Sequence, residues 1–154
     1  MLEIKRRLFL ITALSAVTLG QLTLARPSSA TENSVESVLI EVSISNQSMQ
    51  VFRNGRLLHE WPVSTARPGK VTPTGAWEAQ WLSRNHRSSL YNNAPMPYSI
   101  FYNGNFAVHG TDQINRLGSP ASAGCIRLHP DNAQVLFSMV QDVGLSRTIV
   151  SVSE

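Results

Sequence analysis

Residues 96–130 read MPYSIFYNGNFAVHGTDQINRLGSPASAGCIRLHP. Two apolar runs flank Asn103-Gly104, a dipeptide suited to the tight turn of a β-hairpin. The second run ends at His109-Gly110. An irregular stretch, Thr111 to Gly124, then leads to the only cysteine of the chain, Cys125. This order predicts a hairpin followed by a loop that returns Cys125 toward the strand end carrying His109.

Working outward, residues 38–62 also read as strands. Val38, Ile40, Val42 and Ile44 alternate with Leu39, Glu41 and Ser43, and Asn54-Gly55 separates two apolar runs. Residues 65–75, TARPGKVTPTG, are a Pro/Gly-rich loop. AWEAQWL resumes alternation with Trp77 and Trp81 on one phase, and both are read as core rather than as a sugar platform. Residues 83–95 have no periodicity and are expected to form a lid or binding loop. HPDNAQVLFSMVQDVG fits a helix, with Asp131 in its first turn, a stripe of Ala133, Leu136, Phe137 and Val140, and Gly144 at its end. RTIVSVS closes as a strand. The expected fold is mainly β, a mixed sandwich or barrel-like arrangement with one principal helix after Cys125.

The first thirty residues read differently. A basic head, MLEIKRR, precedes the uncharged run Leu8 to Ala25, and Ser28-Ser29-Ala30 fits a cleavage site. This is the pattern of a secretory signal peptide, with an uncleaved membrane anchor as the alternative. Residues 31–37 are then a spacer and 38–154 one domain, exported to a periplasm or cell envelope and expected to be monomeric. Of thirteen basic and ten acidic residues, four and one lie in the leader, so residues 31–154 carry nine of each. A net charge of zero gives no electrostatic case for nucleic-acid binding.

Cys125 has no partner for an intramolecular disulfide, so it is paired to another chain, core filler or a nucleophile. A nucleophilic thiol needs a base and donors for an oxyanion. Gly124 permits a tight turn, Ser122 can brace it, and Arg127 falls on the same side as Cys125 in an extended segment, where its charge would favour thiolate or hold a carboxylate. Four histidines compete as base. His109 is best placed; His129 precedes Pro130 and suits the helix entrance, His86 lies in the expected lid, and His59 lies in a hairpin strand. No metal-ligand spacing, cofactor motif, phosphate loop or Gly-x-Ser-x-Gly elbow is present.

His109-Gly110, Leu117-Gly118 and Ser122-x-Gly124-Cys125-Ile126-Arg127-Leu128, with fifteen residues between His109 and Cys125, resemble an L,D-transpeptidase catalytic domain of the YkuD type. VSTARPGKVTPTGAW and MPYSIFYNGNFAVHG are similar to the family's upstream segments, so the resemblance covers residues 38–152. It implies that Cys125 attacks a peptide bond between an L-centre and a D-residue in a peptidoglycan stem, with His109 as base, its ring oriented by a backbone carbonyl. The acyl group passes to an amine of a neighbouring stem or to water. Gly124, Ser122, Arg127 and Gly110 would form the oxyanion hole and substrate contacts. The chain departs from the family at Ala123, where many members carry histidine, and at Ala66, commonly glycine. Transpeptidation, hydrolysis by the same acyl-enzyme and a non-catalytic wall-binding module are the readings left open.

Overall fold

The structure is a computed structural model, and it describes residues 36–154. The expected leader and most of the spacer lie outside the described residues.

Two sheets form the domain. The larger contains β1 (Val38–Ser43), β2 (Ser48–Arg53), β3 (Arg56–Pro62), β4 (Gly75–Glu78) and β9 (Thr148–Ser153), in the order β3-β2-β1-β9-β4. The smaller contains β5 (Trp81–Arg87), β6 (Pro95–Asn103), β7 (Phe106–Gly110) and β8 (Ile126–Leu128), in that order. Most neighbours pair antiparallel; β1 with β9 and β7 with β8 pair parallel. The principal helix, α1 (Pro130–Val143), follows β8 as expected.

The alternation read in the sequence fills one core between the sheets. Val38, Ile40 and Val42 of β1 meet Val150 and Val152 of β9, Ile100 of β6, Val108 of β7 and Ile126 and Leu128 of β8. Leu136, Phe137 and Val140 of α1 join them. His129 caps the helix, its Nδ1 accepting from the Asp131 N–H at 3.3 Å, and Pro130 occupies the first turn, where its missing N–H costs nothing.

Two expectations are corrected. The stretch 83–95 is not one loop: β5 runs through Arg87, leaving 88–94 as the connection to β6. The strand is polar (Ser83, Arg84, Asn85, His86, Arg87) because it lies on the sheet edge and its pairing with β6 comes from backbone bonds, which leave no apolar alternation to read. Trp77 and Trp81 do not share a surface. Trp77 lies in β4 of the larger sheet and packs on the core beside Tyr102. The chain changes sheets at Ala79-Gln80, and Trp81, in β5, is 42% exposed.

Candidate active site

His109 and Cys125 arrive on adjacent strands. The parallel pairing of β7 and β8 sets Val108 opposite Ile126 and His109 opposite Arg127. One step back, Ala107 lies opposite Cys125. Because side chains alternate across a strand, Ile126 and Leu128 enter the core while Cys125 and Arg127 project from the other face, with Ala107 and His109. A second, smaller apolar cluster on that face comprises Met96, Phe101 and Ala107, and Cys125 packs against it.

The loop preceding Cys125 is held by a splint. Residues 63–67 run alongside it. Ser64 and Arg127 exchange both backbone hydrogen bonds (3.0 and 2.9 Å), Ser122 N–H donates to the Thr65 carbonyl (2.8 Å), and Arg67 N–H donates to the Ser122 carbonyl (3.0 Å). Buried Thr72 adds a side-chain pin: its hydroxyl donates to the Gly124 carbonyl (2.9 Å) and accepts from the Ala66 N–H (3.0 Å). Gly124 itself has φ +137°, and a Cβ there would stand 2.7 Å from the Phe106 ring and 2.8 Å from the Val71 carbonyl. Only glycine fits.

A cavity of about 590 Å³ opens over this face. His109, Cys125, Arg127 and Ser122 line it, with Arg67 on one side and the 88–94 loop, including Leu90 and Tyr91, on the other. His109 is buried, and its Nδ1 lies 2.7 Å from the Gly110 carbonyl. A carbonyl can only accept, so Nδ1 carries the proton and Nε2 is the free base. Burial, first, and then the Arg127 and His86 charges hold the ring down to about 4 against the Gly110 contact, so it is neutral at pH 7. Cys125 is half-buried, its thiol directed at the Asn105 carbonyl at 3.7 Å. Burial pushes its pKa up, and this outweighs the Ala107 amide and Arg127, which pull it down. The resting pair is therefore thiol and imidazole. Arg127 does favour the thiolate, as expected from its place on the same side as Cys125, but desolvation outweighs it.

Two other expected roles change. The Gly124 N–H is engaged by Ser122 Oγ at 3.0 Å, so Ser122 braces the turn and the Gly124 amide is not free to meet an oxyanion. Gly110 faces away from the cavity, against Pro97 and Pro130, and acts through its carbonyl on His109. The other histidines do not line the cavity: His59 stacks on Trp61, His129 caps the helix, and His86, near enough for its charge to act on His109, edges against Trp81 and Phe101.

Arg67 was not singled out in the sequence. Its guanidinium donates to the Ser122 carbonyl (3.2 Å), and that of Arg127 to Gln113 Oε1 (3.0 Å). Neither forms a salt bridge among the described residues; they repel each other on the Cys125 side, and Asp112, the only acid on the cavity wall, attracts Arg127. Two guanidiniums against one carboxylate leave the cavity wall with a net positive charge. Among the described residues no cluster of metal-ligating side chains occurs.

The family model of the L,D-transpeptidase catalytic domain (YkuD) matches residues 37–152. The chain belongs to this family. It is 29% identical over 112 residues to L,D-transpeptidase 1 of Mycobacterium tuberculosis, covering 64% of this chain and 45% of that protein. The chain thus spans less than half the length of that curated relative. Among solved structures, LD transpeptidase LdtMt1 in complex with imipenem superposes with a TM-score of 0.68 at 26% identity, covering 77% of this chain and 59% of the other. An L,D-transpeptidase from Stackebrandtia nassauensis gives 0.68 at 23% identity, covering 82% and 62%, a likeness of fold. The expected mainly-β, two-sheet fold with one helix is that of the family.

Proposed function

We propose that this chain is a cysteine-nucleophile L,D-transpeptidase of the cell envelope, acting after export on peptidoglycan stem peptides. The observation that carries the reading is the geometry of His109: Nδ1–H fixed on the Gly110 carbonyl and Nε2 left as a neutral base in the cavity that Cys125 lines.

A stem peptide enters with its scissile carbonyl over Cys125. His109 Nε2 takes the thiol proton as the sulfur bonds to that carbonyl carbon, so thiolate forms only as it is consumed. The Cys125 N–H supports the oxyanion. Collapse breaks the peptide bond; His109 returns the proton to the departing amine, leaving a thioester on Cys125. An acceptor amine then attacks the thioester, giving its proton to His109, and the new amide leaves as the thiol reforms. Arg67 and Arg127, beside the nucleophile, take the carboxylate of the departing residue, which lies one residue from the attacked carbon, about 3.5 Å along the chain.

The test is intact-protein mass spectrometry with a stem tetrapeptide. A mass increase equal to the peptide less its terminal amino acid, released as the free amino acid, is expected and should be absent in Cys125→Ala. No adduct on folded protein, with wall binding unchanged by Cys125→Ala, would instead favour a binding module. Products formed with and without an amine acceptor divide transfer from hydrolysis.

A further inference from the structure

The four-stranded sheet carries a row of side chains straight across its outer face. Trp81 of β5 pairs with Phe101 of β6, Phe101 pairs with Ala107 of β7, and Cys125, the residue before β8, packs against Phe101 and Ala107 one step back from the Val108–Ile126 pair. Three strand spacings separate the ends of the row, about 14 Å. Phe101, Ala107 and Cys125 form one apolar cluster, so the row is continuous.

Trp81 ends this row in an unusual posture. Its indole lies flat on the Phe101 ring, centroids 3.7 Å apart and planes 3° from parallel, and His86 meets it edge-on at 5.6 Å. Phe101 is 3% exposed beneath it, whereas Trp81 is 42% exposed. One face of the indole is thus anchored and the opposite face is presented to solvent, held rigid from below. A rigid, flat, amphipathic ring with an N–H at its edge matches the apolar face of a pyranose and its hydroxyls.

Polarity along the row chooses the occupant. The two guanidiniums stand on the Cys125 side, with the 63–67 splint, and the aromatic platform at the far end. Resting on the reading above, the carboxyl end of a stem lies toward the arginines, so its amino end points along the row toward Trp81. The amino end is where a stem joins its sugar. An extended chain spans about 3.3–3.6 Å per residue, so the three stem residues on the donor side of the attacked bond cover about 10–11 Å of the row, and the linkage to the sugar covers the rest of the way to the indole.

We infer that Trp81 is a carbohydrate platform, stacking on the sugar that bears the donor stem and so favouring glycan-linked over free peptides. The closing experiment uses the full chain and two donors: a stem tetrapeptide alone, and the same peptide on its disaccharide. Trp81→Ala is expected to raise KM about tenfold for the linked donor and to leave that of the free peptide unchanged, while Trp81→Phe, which keeps a ring over Phe101, retains most of the preference. Equal effects on both donors, or none, overturn the platform. A direct readout stands apart from turnover: in Cys125→Ala protein, a tetramer of β-1,4-linked N-acetylglucosamine should shift the Trp81 indole N–H resonance and bind at least fivefold more weakly once Trp81→Ala is added. Failure of that binding overturns the platform; absence of acyl-enzyme with either donor, the binding intact, overturns only the catalytic reading.

Discussion

The strands β5–β8 have two faces that share a backbone and little else. On the inner face Ile100, Val108, Ile126 and Leu128 are fully buried in a core that spans both sheets and the helix. On the outer face Trp81, Phe101, Ala107, Cys125, His109 and Arg127 form a smaller, polar-edged surface. Cys125, Ile126 and Arg127 are consecutive, yet the middle one belongs to stability and its neighbours to the cavity. The difference teaches that the inner face fixes where the strands lie, and the outer face uses that fixed lattice to hold reactive groups in register.

The sharpest way to break this division is to substitute adjacent residues. Cys125→Ala should lower turnover to background, about 10⁴-fold or more, with its melting temperature within a degree or two of wild type. Ile126→Ala should do the reverse: about 3 kcal/mol less stable in urea titrations, with turnover per folded molecule retained within a few-fold. An unfolded Cys125→Ala, or a folded but dead Ile126→Ala, would end the two-face picture.

His109→Gln tests the outer face by pH. It should reduce turnover about 10³-fold. The ring's pKa falls from 6.5 to about 4 on folding, so below 6.5 the unfolded chain takes up a proton that the folded ring refuses. Stability of the wild type is therefore lost as pH drops from 6.5 to 4, approaching about 3 kcal/mol from this group. Urea melts at pH 7 and 4.5 should show a smaller drop in the glutamine variant; equal drops would mean that the ring is not held neutral by burial.

Gly124→Ala joins the faces. The positive φ and the contacts with Phe106 and Val71 should cost about 2–3 kcal/mol and displace the thiol, so stability and turnover fall together, where the Cys125 and Ile126 variants separate them. The smallest effect belongs to the rim. Arg67→Gln should raise KM about fivefold for donors ending in a free carboxylate and leave KM nearly unchanged for the terminal carboxamide. Equal changes for both would remove Arg67 from carboxylate recognition.

Most of the inner face was legible, because burial on one side writes itself as alternation: β1, β2, the Asn103-Gly104 hairpin and the 3.6-residue stripe of α1 all read directly. The His109–Cys125 pairing was legible through family resemblance and spacing. What escaped was set by tertiary partners. β5 is too polar to alternate; the sheet change between Trp77 and Trp81 is a matter of topology; Arg67 and Thr72 act on a loop more than fifty positions away. Their signal was TARPGKVTPT, an unusually restrained loop with two prolines, which marked rigidity without naming what it holds. The engaged Gly124 amide and the raised Cys125 pKa depend on atoms a few ångströms off, which no local pattern carries.

β9 is an interior strand of the larger sheet, parallel to β1 and antiparallel to β4, although it is formed by Thr148–Ser153. The first and last strands of the domain are thus mutual prerequisites. A chain that presents only β1 through β8 has nothing to join β4 to β1, and closing the larger sheet joins segments over a hundred residues apart, the slow kind of contact to form. The cavity rests on that closure through the shared core, so a thiol with a base beside it comes into being only after the last strand has docked. The topology thereby makes the nucleophile conditional on the chain's final segment: a copy lacking Thr148–Ser153 would lack the frame that brings thiol and imidazole together.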